Sequence, residues 1–185
     1  MGESDRDSSM PLFLSISGSL RAASSNTAAL EALALLAPQG VTVQRYDGLD
    51  RLPAFNPDLE SGDLPDTVAR LRGLIGRADA VVISSPEYAR GMAGALKNML
   101  DWLVGALEFP DKPVALITTS QRAEYAPGQL RVVLTTMSAR IVDEASITLP
   151  LLGRTLTAEQ IAADGALAGQ LRAAIAALVE AVGAP

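Results

Sequence analysis

The chain has 185 residues, 49% of them hydrophobic, and a net charge of −6 at neutral pH. That length fits one domain with a substantial apolar core, and the negative balance argues against nonspecific nucleic-acid binding. Cysteine and histidine are both absent, which excludes thiol catalysis, disulfides, Cys/His zinc sites, iron–sulfur clusters and a Ser-His-Asp triad.

Hydride transfer through a bound cofactor survives this exclusion, because the cofactor carries the chemistry and the protein supplies position and electrostatics. No apolar run approaches the roughly 20 residues that a membrane-spanning helix needs. The opening MGESDRDSSM is polar and lacks the basic start and apolar centre of a signal peptide. Residues 1–10 are therefore expected to be a disordered tail, 11–185 a single domain, and the protein cytoplasmic.

Apolar strand candidates alternate with amphipathic helical ones along the chain. Leu12–Ser17 reads as a first strand ending in Ser17-Gly18-Ser19, and Thr27–Ala37 as a helix with Leu30, Leu33, Ala34 and Ala37 at helical spacing. Val41–Tyr46 alternates as a strand should. Asp47–Asp63, with Pro53, Pro57 and Gly62, reads as a long loop. A helix over Leu64–Arg77 and a strongly apolar strand over Ala78–Ser84 follow. Ser85–Gly91 is then a loop and Ala93–Val104 a helix. Pro113–Thr118 is the fourth strand. The stripe Leu130, Val133, Leu134, Met137 marks a helix over Gly128–Ser138. Arg140–Leu149 is the fifth strand. The last helix runs from about Thr157 to Val182, with Thr157 and Gln160 in a capping-box pattern.

This alternation implies a parallel sheet covered by helices on both faces. Open sheets of this kind bind ligands beyond the strand C-termini, near the switch point, so the loops after strands one, three and four are the candidates. The first, Gly18–Asn26, precedes a helix whose N-terminal N–H groups favour a phosphate, with Ser19, Ser24 and Asn26 as polar donors and Arg21 as a cation. Ser24 or Asn26 acting only as a helix cap is the equal alternative. The second loop begins Ser85-Pro86-Glu87-Tyr88. Pro86 turns the chain out of the sheet there, and Tyr88 would border a planar ligand or pack at an edge. Lys97, Asn98 and Asp101 equally suit an ordinary polar helix face.

Together these stretches resemble the NADPH-dependent FMN reductase family, which includes related quinone, azo-dye and metal-oxyanion reductases. The matching residues are G-S-L-R-x-x-S-x-N at Gly18–Asn26, P-E-Y at Pro86–Tyr88, G-x-L-K-N-x-x-D-W at Gly94–Trp102 and the loop Leu52–Asp58. The resemblance covers about residues 11–150 and implies a flavodoxin-like α/β three-layer sandwich with a five-stranded parallel sheet. It implies FMN as cofactor and NADPH or NADH as donor, with hydride passing to the flavin N5 and on to a flavin, quinone or similar small acceptor.

By position, Ser19, Arg21, Ser24, Ser25 and Asn26 would hold the FMN phosphate. Pro86, Glu87, Tyr88 and Ala89 would line the ring, and Ser120 would approach its polar edge. Arg90 and Gly91 would meet the acceptor or the 2′-phosphate of NADPH, and no metal is implied. Relatives are commonly homodimers or homotetramers. A non-enzymatic electron carrier, or a protein of this fold that has lost FMN, are the alternatives. Three positions depart from the family pattern: Ala89 replaces the usual Asn, Ala93 the usual Pro, and Ser120–Tyr125 a glycine-rich loop.

Overall fold

Residues 10–183 are described by a computed structural model, and the expected N-terminal tail falls, but for Met10, outside them. Strands β1 (Leu12–Ser17), β2 (Thr42–Tyr46), β3 (Ala80–Ser84) and β6 (Pro113–Thr118) pair in parallel in the order β2-β1-β3-β6. Every residue of β3 is buried. A sheet sandwiched between helix layers has no solvent face, so its strands read as continuous apolar runs.

Alternate residues nonetheless serve different cores. Leu14, Ile16, Val81, Ile83, Val114 and Leu116 face one apolar cluster, while Phe13, Ala80, Val82, Ala115 and Ile117 face the other. The first cluster is covered by α3 (Asp66–Arg77), α4 (Gly94–Leu103) and α5 (Tyr125–Thr136), the second by α1 (Ser25–Leu35), α6 (Ala158–Ala163) and α7 (Gly165–Gly183). The result is the three-layer α/β sandwich expected from the alternation. The stripe Leu130, Val133, Leu134, Met137 packs into the first core.

Several elements differ from their sequence reading. The fifth strand is split into β7 (Arg140–Ile141) and β8 (Ile147–Thr148), both parallel to β6, with a 3₁₀ turn at Asp143–Ala145 between them. At the interruption the Ser146 hydroxyl accepts from the Leu116 N–H at 3.1 Å and donates to the Val142 carbonyl at 2.8 Å, satisfying backbone groups the broken ladder would leave unpaired. The long loop after β2 contains a 3₁₀ turn at Leu49–Arg51 and the short helix α2 (Pro57–Ser61). Ser85–Gly91 is not all loop: β4 (Glu87–Tyr88) and β5 (Gly91–Met92) form a small antiparallel hairpin.

The last helix is two. Thr157 and Gln160 make both bonds of the capping box at the start of α6, but Asp164 leaves the helical region (ψ 113°) and its carboxylate accepts from the Ala166 and Leu167 N–H groups to start α7. By length and composition α7 can cross a bilayer, which corrects the expectation that no such segment exists. Here its face of Leu167, Leu171, Ile175 and Leu178 is buried in the second core.

Candidate active site

All strands of a parallel sheet end at the same rim, and here they end in hydroxyls. Ser17 pairs in register with Ser84, and Thr118 with Thr148. Just inside the rim lies a buried polar cluster. Ser84 Oγ sits 2.8 Å from Asn26 Oδ1 and 2.7 Å from the Ile117 carbonyl, and Thr119 Oγ1 lies 3.2 Å from the same Asn26 atom. Asn26 therefore ties the first turn of α1 to the ends of β3 and β6. Buried polar atoms are costly unless paired, and among the described residues no buried side-chain donor or acceptor is left without a partner.

The loop after β1 is shaped for a small group. The Gly18 N–H donates to the Ser84 carbonyl at 2.8 Å, and a Cβ on Gly18 would stand 3.0 Å from Ser85 Oγ and 3.2 Å from Leu96 Cδ2. A side chain at Gly18 would have to push Ser85 and Leu96 aside by a few tenths of an ångström. Ser24 caps α1 by accepting from the Thr27 N–H, so the capping role anticipated for it is real. It leaves the Ser25 and Asn26 N–H groups without a partner among the described residues. Ser19 Oγ accepts from the Arg21 N–H, and Arg21 itself is exposed.

Two of the cavities along this rim meet, and a further one of about 310 Å³ lies beside them among Arg21, Arg45 and Asp47. The larger of the two that meet, about 660 Å³, runs from Ser19, Arg21 and Ser24–Asn26 past Pro86, Tyr88 and Ser120. The smaller, about 290 Å³, is bounded by Ser85–Glu87 on one side and Thr118–Ser120, Arg122 and Ala123 on the other. Asn26, Pro86, Thr119, Ser120 and Leu152 line both, so the two are one continuous trough. Its size falls in the range of about 300–1,000 Å³ typical of cofactor sites.

The hairpin β4–β5 forms the trough's outer lip. Its two-residue turn places Ala89 at φ 49° and Arg90 at φ 60°, the geometry of a type I′ turn that residues with a Cβ adopt only at a cost. Contacts with α5 hold it there. Gln129 donates to the Arg90 carbonyl and accepts from the Met92 N–H, and the Arg90 guanidinium lies 5.2 Å from the centre of the Tyr125 ring. The Glu87 carboxylate accepts from the Tyr125 and Ala126 N–H groups at 2.8 and 2.9 Å.

The geometry brings Ser19, Arg21, Ser24, Ser25, Asn26, Pro86, Glu87, Tyr88 and Ser120 to the trough. Ala89, Arg90 and Gly91 are not among its lining residues; they form the tip of the hairpin. Sequence reasoning missed Thr119 and the whole wall from Leu151 to Thr157, where Arg154 lines the larger cavity and pairs with Asp164 at 3.4 Å. That wall follows β8, and applying the strand-end rule to the fifth strand as well would have found it.

The motif G-x-L-K-N-x-x-D-W is an anchor and not a ligand site. Asn98 Nδ2 donates to the Pro53 carbonyl at 2.9 Å, Asn98 Oδ1 accepts from the Phe55 N–H at 2.8 Å, and Trp102 Nε1 donates to the same Pro53 carbonyl at 2.8 Å. The Phe55 and Trp102 rings meet edge to face at 5.0 Å. The motif thus pins the loop after β2 onto α4.

A doubly wound sheet in the order β2-β1-β3-β6, with a trough beyond the strand C-termini, defines the flavodoxin-like class of α/β proteins. The sequence pattern of the NADPH-dependent FMN reductases matches residues 11–151, and the chain belongs to that family. It is 39% identical over 129 residues to an NAD(P)H-dependent FMN reductase of Pseudomonas aeruginosa, covering 65% of this chain and 69% of the relative. A quinone reductase of Escherichia coli is 35% identical over 132 residues, with the same coverage. Among solved structures, the flavoenzyme NAD(P)H:acceptor oxidoreductase FerB of Paracoccus denitrificans superimposes with a TM-score of 0.76 at 29% identity, over 93% of this chain and 97% of that one. The protein is accordingly an oxidoreductase that works with FMN and NAD(P)H, which decides for the reductase over the electron carrier.

Proposed function

We propose that this protein is an FMN-dependent reductase of quinones or free flavins, with the phosphate of FMN at the α1 end of the trough and the flavin ring in the slot beside Pro86. The observation that carries the assignment of ends is chemical. The Ser25 and Asn26 N–H groups, without a partner among the described residues, the Ser19 and Ser24 hydroxyls, Arg21 and Arg154 line one end, together with Glu31 and Glu159, and helix N–H groups with an arginine suit a dianion. The other end is flanked by Pro86, Ala123 and Leu152, with Glu87 and Arg122 as its charged residues, and we assign the planar ring to that apolar flank.

FMN, when bound, supplies the two-electron chemistry that links NAD(P)H to the acceptor. The chain's own part is to bind, orient and shield. Asn26, locked by Ser84 and Thr119, fixes the floor between the two ends. Ser120, whose hydroxyl accepts from the Arg122 N–H, keeps its loop turned so that Arg122 borders the ring end. A cation there favours a negatively charged ligand. Holding the nicotinamide donor and the ring close together in the trough would speed the transfer by proximity, with no histidine acid or base. Residues 11–185 act as one FMN-binding domain in the cytoplasm, where the nicotinamide donor is at hand. The protein works as a homodimer or homotetramer, a reading supported by apolar side chains left exposed on the hairpin and α5: Tyr88, Tyr125 and Val132.

Titration of the purified protein with FMN, followed by NADPH, tests the reading. Bound-flavin absorbance that bleaches with NADPH and returns with a quinone is expected. Arg21→Ala is expected to weaken FMN binding about tenfold or more, the loss of one charge-assisted contact. Unaltered binding in that variant would move the phosphate elsewhere.

A further inference from the structure

We propose that Glu87 is a positioning residue for the reaction: its carboxylate, seated on the N-terminus of α5, fixes the width of the slot that takes the flavin ring. The inference rests on the reading of the trough as an FMN site. It departs from that reading in giving Glu87's side chain a task outside the trough, whereas its backbone forms the lip.

The geometry is specific. One oxygen of Glu87 accepts from two successive backbone N–H groups, those of Tyr125 and Ala126, thirty-eight and thirty-nine residues away. The residue at the N-cap position of α5, Glu124, makes no side-chain capping bond. A helix of this length presents unpaired N–H groups and partial positive charge at its start, and here a carboxylate from the neighbouring loop meets both. The opposite wall of the slot, Ser120–Ala123, is the segment that leads directly into α5. Holding the first turn of α5 to Glu87 therefore sets the distance between the two walls.

Gln129, one turn further along α5, grips the far strand of the same hairpin through Arg90 and Met92. Hairpin and helix become one unit with two tethers. This explains how a turn with Ala89 and Arg90 in the left-handed region persists, since strained backbone survives only where its surroundings over-determine it. It also gives a glycine-poor loop after β6 a defined place at the ring.

The test compares the wild-type protein with Glu87→Ala and Glu87→Gln, each titrated with FMN and then assayed with NADPH and a quinone. Glu87→Ala is expected to raise the Kd for FMN about tenfold, to change the visible circular dichroism of the bound flavin at saturation, and to raise KM for the quinone more than it lowers kcat. Glu87→Gln keeps an acceptor oxygen and is expected to restore the dichroism and most of the affinity. A lowered melting temperature of the apoprotein with unchanged Kd, dichroism and KM would mean that Glu87 only caps α5, and would overturn the proposal. If Glu87→Ala does not fold, Gln129→Ala cuts the second, exposed tether and is read by the same three quantities, with no change in any of them overturning the proposal. A wild-type protein that binds no FMN overturns the reading of the site itself, a result distinct from either.

Discussion

Replacing Asn98 with alanine tests the anchor beneath the loop after β2. The substitution removes two hydrogen bonds, to the Pro53 carbonyl and from the Phe55 N–H. The Pro53 carbonyl keeps a partner in Trp102 Nε1, so its loss is the ordinary net worth of a bond, about 1 kcal/mol. The Phe55 N–H keeps none, and a part-buried donor left unpaired costs about 1–2 kcal/mol more. The sum is about 2–3 kcal/mol, which for a chain of this size lowers Tm by roughly 5–10 °C. Trp102→Phe removes one bond, about 1 kcal/mol because Asn98 still satisfies Pro53, and shrinks a fully buried side chain, so a total of about 2–3 kcal/mol is expected. The double variant orphans the Pro53 carbonyl, which neither single change does. Its cost therefore exceeds the sum of the two by about 1 kcal/mol. Urea unfolding of the four proteins closes the cycle. A loss below about 0.5 kcal/mol for Asn98→Ala, or strict additivity in the double variant, refutes the account.

Three further outcomes are expected. Ala89→Asn places a residue that tolerates positive φ where alanine sits at φ 49°, so stability should rise by about 0.5–1 kcal/mol in urea unfolding; a decrease would show that the turn is unstrained. Burial lifts the Tyr46 phenol to about 12, against the opposing pull of Arg51 and Arg70. A raised folded pKa keeps the proton on while the unfolded phenol ionises, so this contribution is intact below pH 10.0 and is lost as pH rises from there towards 12. An ultraviolet titration should show one tyrosinate forming late and disappearing in Tyr46→Phe, and Tyr46→Phe should flatten that alkaline fall in stability. Asp164→Ala removes the carboxylate that caps α7 and pairs with Arg154; a lowered Tm is expected, and an unchanged Tm would discount the cap.

Much of the fold was legible because the apolar pattern is strong where the sheet is double-covered. Leu12–Ser17 and Pro113–Thr118 have the bounds the sequence implied, and the Thr157 capping box formed as written. The misses have physical causes. The β4–β5 hairpin turns on Ala-Arg, with neither Gly nor Asn to advertise positive φ, and its strands are two residues each. Asp164 breaks the final helix because its side chain is a better N-cap than a helix-interior residue, a competition invisible to apolar periodicity. In the site, the cradle at Gly18–Asn26 and the Pro86 loop were readable from turn chemistry and family resemblance. The Leu151–Thr157 wall was not, because the strand before it is split and its ends are hard to see. Asn98 read as a surface polar residue because its partners lie more than forty positions away.

The sheet divides the interior into two compartments that share no side chains. One supports α1 and the wall after β8; the other supports α3, α4 and α5, hence the hairpin. Changes on opposite sides of such a partition combine nearly independently. The packing beneath the hairpin can therefore change while that beneath α1 stays as it is, a modularity that lets one wall of the trough vary without the other.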